Sequence, residues 1–226
     1  SLSDRLGRRI VWAWVLSQLP TKNDNFSVMT IPRVLSTDTT RKLAIEPARE
    51  LELLRTKHRK HTDFSIANET RTLFDYSGKT QEFSVEIEPN ECDQFGIVVC
   101  SSPNAIEETR IVFDLLKSEI LIDTRKSSLD KNVYRAFPLI GKKLPKEDNP
   151  VQKAPHQFGD SVTQIRLFID KSIIELFVDQ HLCLTQRIYP TLANSQMTRL
   201  FVKKGAITIH RLEAWELSPL HYTDLS

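Results

Sequence analysis

From Phe83 to Glu88 apolar and polar side chains alternate: Phe83, Val85 and Ile87 fall on one side, Ser84, Glu86 and Glu88 on the other. A period of two is the mark of a half-buried antiparallel strand. The pattern returns in residues 94–100, 110–115, 119–123, 162–169, 173–178, 182–188, 199–202 and 206–215. Turn signals separate these segments, notably Pro89-Asn90, Pro103-Asn104, Asp170-Lys171, Asp179-Gln180 and Lys204-Gly205. Many short strands at such spacing predict a two-sheet sandwich. From Lys126 to Asp160 the alternation weakens, and residues 141–150 read as an exposed loop.

The first part of the chain is also β-rich. Ile10, Val11, Trp12, Trp14 and Val15 form an apolar run after the turn at Leu6-Gly7, residues 20–25 have the polarity of a loop, and residues 28–35 and 43–45 supply further strands. Pro47 then fits the first turn of a helix in which Leu51, Leu54 and the stem of Arg55 share a face. The basic run from Arg55 to His61 follows. It has no aromatic residues to stack bases, so it reads as a solvated connector. The expected domains are residues 1–55 and 56–226.

Composition suits ordinary folding: 226 residues, 40% hydrophobic and 27% charged, enough for one large or two small cores. Lys and Arg number 31 against 29 Asp and Glu, a formal charge of +2. That gives no field to hold a polyanion or a membrane surface, so neither nucleic acid nor membrane is expected as a partner. No apolar run approaches the roughly 20 residues that span a bilayer, and the first residues carry no signal-peptide pattern. The missing initiator Met fits a piece of a longer protein, and the compartment stays undecided.

Cys92, Cys100 and Cys183 show no metal-like clustering. On one extended strand Cys92 and Cys100 would lie about 26 Å apart, too far to bridge. Buried free thiols are expected, and the scattered histidines suggest neither a dyad nor a metal site.

Gly7-Arg8-Arg9, Trp12-Ala13-Trp14, Ile31-Pro32-Arg33 and the run from Pro47 to Arg55 together resemble the last propeller blade and exit helix of glycoside hydrolase family 32, the invertase, levanase and inulinase group. Residues 172–179 resemble the family's sandwich signature, and Thr185-Gln186-Arg187-Ile188-Tyr189-Pro190 follows where the family would have it. One departure is Ala13, where Gly is usual. The resemblance implies an all-β chain: the last blade of a five-bladed β-propeller plus a C-terminal antiparallel β-sandwich, joined by a short helix. It implies a retaining β-fructofuranosidase acting on sucrose or fructans through two carboxyl groups about 5 to 5.5 Å apart, with no metal or organic cofactor. The implied partners are a fructose-containing saccharide and the N-terminal blades of the same enzyme, either a missing segment or a companion chain.

The family's catalytic acids are absent as motifs. Neither its Asn-Asp-Pro-Asn block nor its Arg-Asp-Pro block occurs. Glu91-Cys92 spells its Glu-Cys block but lies after the connector, between two sandwich strands, whereas the family's acid/base precedes the Gly-Arg-Arg strand. Glu91 is therefore read as a decoy, and no catalytic residue is expected in this chain.

Trp14 is a candidate to stack on a sugar ring at the funnel mouth, with Ser17 and Gln18 as candidate rim residues. The alternative is that Trp12 and Trp14, sharing parity, pack between blades. Arg33 fits a structural pairing with a carboxylate from an adjoining blade, and Glu175 a cross-strand pairing with a base such as Arg187. Two other readings stay open: a lectin-like carbohydrate-binding module, and an oligomerisation surface joining copies of the chain.

Overall fold

The computed structural model describes residues 1–15, 27–73, 78–133, 149–159 and 162–219. Its first strands are short: β1 (Leu2–Ser3), β2 (Arg9–Val11), β3 (Trp14–Val15), β4 (Val28–Met29), β5 (Arg33–Thr37) and β6 (Leu43–Pro47). Strands β1, β2, β5 and β6 form an antiparallel sheet in that order, and β3 and β4 make a separate ribbon. The apolar run expected at residues 10–15 is thus broken after Val11. Gly7 turns the chain between β1 and β2 at φ +76° with open space where a Cβ would sit. Gly7→Ala is expected to cost about 1 kcal/mol through backbone strain alone, measurable by urea denaturation.

A 3-10 helix (Arg49–Leu54) follows β6. Pro47 ends the strand rather than opening a helix, which corrects the expectation. The tighter turn suits the sequence, because side chains three apart eclipse in a 3-10 helix, and Leu51 and Leu54 therefore face the sandwich together.

The remaining strands are β7 (Arg55–Ala67), β8 (Thr70–Thr72), β9 (Thr80–Asn90), β10 (Gln94–Ser101), β11 (Thr109–Asp114), β12 (Glu119–Asp123), β13 (Val151–Pro155), β14 (Thr163–Asp170), β15 (Ile173–Val178), β16 (Leu182–Arg187), β17 (Met197–Lys203) and β18 (Ala206–Leu217). They form two antiparallel sheets of six, ordered β13-β12-β11-β10-β17-β8 and β16-β15-β14-β9-β18-β7. The all-β sandwich expected from alternation is what the chain builds. Phe83, Val85 and Ile87 from one sheet meet Phe95, Ile97, Val99, Ile111 and Phe113 from the other in a closed core. Burying each such side chain contributes about 1.5–3 kcal/mol.

The basic run is not a connector. Residues 55–67 are a strand whose side chains are mostly exposed, hydrogen-bonded along β18 at the edge of its sheet. Lys57 pairs with Glu216 at 2.6 Å and His58 with Glu213 at 3.1 Å, with the His58 ring stacked on Trp215. Cross-strand charge pairs thus hold a strand that has almost no apolar face of its own.

Candidate functional site at the junction of sheet and sandwich

The arginines of the sequence blocks converge on carboxylates. Arg8 reaches the 3-10 helix and donates to Glu50 through both terminal nitrogens, at 2.6 and 3.2 Å. Arg55, at the end of that helix, donates to Glu82 of β9 at 2.7 and 2.8 Å, and Arg166 of β14 donates to the same carboxylate. Glu82 is fully buried, and the Arg55 guanidinium also lies 4.0 Å above the Trp215 ring. Planar forks on carboxylates give the junction defined geometry as well as attraction.

Arg33 makes the third contact. Its guanidinium donates to Glu175 of β15 at 2.5 Å and to Thr185 Oγ1 of β16 at 2.5 Å, while the Ile31 amide donates to the other Glu175 oxygen at 2.7 Å. Arg33 therefore pairs across the junction to the sandwich. Glu175 does not pair with Arg187, because the β15–β16 register sets Thr185 opposite Glu175 and Arg187 opposite Ile173. Burial pushes the Glu175 carboxyl above the usual range, opposed by the Arg33 guanidinium and the Ile31 amide.

Around these pairs Leu51, Leu54, Ile31 and Ile45 pack against Phe168, Phe177, Cys183 and Leu217. Backbone bonds close the seam, with the Ile45 amide donating to Gln180 O at 2.7 Å. A cleft of about 280 Å³ remains, lined in part by Ile31, Leu54, Phe168 and Leu217.

Trp14 stands opposite Met29 in the β3–β4 ribbon, and both side chains are more than half exposed, at 57% and 56%. Trp12 is exposed too. Ser17 and Gln18 lie outside the described residues. Glu91 is exposed in the β9–β10 turn at φ +49°. That turn packs so closely on Gly205 that a Cβ there would come within 2.3 Å of Glu91 O.

Among the described residues no group of three His, Cys, Asp or Glu side chains is arranged to hold a metal ion. All three thiols are free. Burial holds Cys100 up at about 12 and Cys183 at about 11, so neither is a thiolate near neutrality.

A further buried carboxylate, Glu107, has no signature in the sequence. Glu107 accepts bonds from the amides of Leu129, Thr191 and Leu192 and from the hydroxyls of Thr191 and Ser195. Burial opposes its charge, but the Ser195 and Thr191 hydroxyls and the backbone amides outweigh that and hold it at about 2. Nothing local signals this, since its donors come from loops far along the chain. Glu82, Glu107 and Glu175 are all saturated with donors and suit fixed anchors better than proton carriers.

Sheet topology and junction together define a two-sheet β-sandwich module clamped by arginine–carboxylate pairs to a small N-terminal sheet. The chain belongs to glycosyl hydrolase family 32: the description "Glycosyl hydrolases family 32 C terminal" matches residues 50–216. It is similar to the beta-fructofuranosidase, insoluble isoenzyme CWINV1, of Arabidopsis thaliana, with 27% identity over 93% of this chain and 42% of that protein. It is also similar to a sucrose-6-phosphate hydrolase of Zymomonas mobilis, with 26% identity over 93% of this chain and 39% of the relative. The chain thus spans about two fifths of the length of the curated relatives it matches. Among solved structures, fructan 1-exohydrolase IIa from Cichorium intybus superposes with a TM-score of 0.76 at 18% identity, covering 94% of this chain and 46% of the other. A substituted variant of that enzyme has also been solved in complex with 1-kestose.

Proposed function

We propose that this chain is the C-terminal part of a retaining β-fructofuranosidase-type hydrolase of sucrose or fructans. Residues 1–55 are its closing propeller blade and exit segment, and residues 56–226 are a sandwich that braces them. The observation that carries this reading is that Arg33 and Arg55, both in blocks of the family pattern, bond buried carboxylates of the sandwich, while Arg8 ties the exit segment to the N-terminal sheet through Glu50. Such an arrangement serves to hold a blade in place. The uncovered Trp14 ring is consistent with it, because an exposed aromatic face is available to stack on a sugar.

The reacting acids belong to the N-terminal blades of the complete enzyme, and Glu91 takes no part in the chemistry. Trp14 faces the saccharide at the funnel mouth. The isolated 226 residues are expected to hydrolyse neither sucrose nor inulin in a reducing-sugar assay. Turnover that disappears in Glu91→Gln would overturn the assignment.

A further inference from the structure

We infer that Glu175 of the sandwich is a positioning residue for the Trp12–Trp14 segment of the blade, acting through a relay of hydrogen bonds. The inference rests on the proposed reading of Trp14 as a saccharide contact and adds what sets that contact in place.

Glu175 holds the blade strand at two points. One carboxylate oxygen takes the Ile31 amide, the other takes the Arg33 guanidinium, and between them Pro32 accepts the Ala48 amide at 2.9 Å. The ring of Pro32 fixes its own φ, so residues 31–33 behave as one stiff unit. The next residue back, Thr30, is buried and grips Ala13 twice: its amide donates to Ala13 O at 2.9 Å, and its hydroxyl accepts from the Ala13 amide at 2.9 Å. Ala13 lies between the two tryptophans. Any displacement of residues 31–33 is thereby passed to the backbone that carries Trp12 and Trp14.

Among the described residues the ribbon has few backbone pairs of its own. Its pairing is Trp14 with Met29 and Val15 with Val28, far short of what a two-stranded ribbon needs to be stable alone. Both tryptophan side chains are exposed, so their direction is set by backbone placement more than by packing. A charge-assisted bond is roughly twice as strong as a neutral one, which makes the Glu175 carboxylate the strongest point in the relay. The sandwich thus reaches the blade face from 144 positions away in the chain.

Amide hydrogen exchange, read residue by residue by NMR on the full 226-residue chain, tests this. In Glu175→Gln the Ala13 amide is expected to exchange about fivefold faster, while amides of β10 and β11 keep their wild-type protection. An unchanged Ala13 amide would overturn the inference, as would equal acceleration throughout the sandwich, since either result leaves Glu175 without a directed effect. Should the single variant not fold, the pair Glu175→Gln with Arg33→Gln removes the unpaired buried guanidinium and is read against the same two criteria. Indole fluorescence of wild type and Trp14→Phe under fructan titration reads the saccharide role separately. A titration signal absent in wild type, or unchanged in Trp14→Phe, with an intact exchange effect would refute the contact and leave the relay standing.

Discussion

Glu82→Ala is expected to lower stability by about 3–5 kcal/mol, the range for removing one partner of a buried ion pair. The carboxylate is fully buried beneath Arg55 and Arg166, so its loss strands two guanidinium groups that are themselves largely covered. The damage extends beyond charge. Arg55 leaves the 3-10 helix and opens β7, and its fork on Glu82 sets where that helix meets the sandwich. For a chain of this size about 2–4 °C of melting temperature goes with each kcal/mol, so a fall of roughly 10 °C is expected by calorimetry. A variant carrying Glu82→Met, Arg55→Leu and Arg166→Met should recover most of it, because apolar groups of similar volume replace a buried ion cluster at little cost. A single variant within 1 kcal/mol of wild type would show that the cluster contributes nothing net.

Glu107→Gln tests a different kind of anchor. Its carboxylate is the shared acceptor for loops around residues 107, 129 and 191–195, and an amide cannot satisfy all of those donors. A loss of about 2–4 kcal/mol is expected from donors left without acceptors. The pH dependence gives the sharper signature. Because the folded carboxyl is held at about 2, below its ordinary value of 4.5, the charged form binds the fold more tightly than the neutral one. Its contribution is full above about pH 4.5 and fades as pH falls toward 2. The stability gap between wild type and Glu107→Gln should therefore be constant from pH 7 to 5 and shrink below pH 4.5, measured by urea denaturation. A gap that stays constant down to pH 3 would remove Glu107 as its source.

Much of the architecture was legible from alternation, and the exceptions have physical reasons. Glu119–Asp123 and Ile173–Val178 match their strands end to end: the first alternates buried and half-buried side chains, and the second, buried throughout, is a short apolar run bounded by turn signals. Strand β7 was read as a connector because nearly all of its side chains are exposed; alternation needs a buried face, and this edge strand has almost none. Strand β13 escaped for a similar reason, being short, polar and ended by Pro155. At the junction, Arg33 could be seen to want a carboxylate, but its partner is 142 residues away and no spacing rule reaches that far. The alternation likewise marks Glu175 as structural without naming its partner, since a hairpin register cannot be counted from residue types alone. Glu107 gave no signal at all, because its donors are hydroxyls and amides that any loop possesses.

The placement of β18 has a consequence for how the protein is made. That strand lies between β9 and β7, so two elements from the beginning of the sandwich have their backbones joined through one from its end. During translation neither can complete its sheet until residues 206–217 have left the ribosome, and until then the half-apolar surface of β9 and the bare edge of β7 are open to other nascent chains. Completion of this sheet is slowed by its long-range pairings.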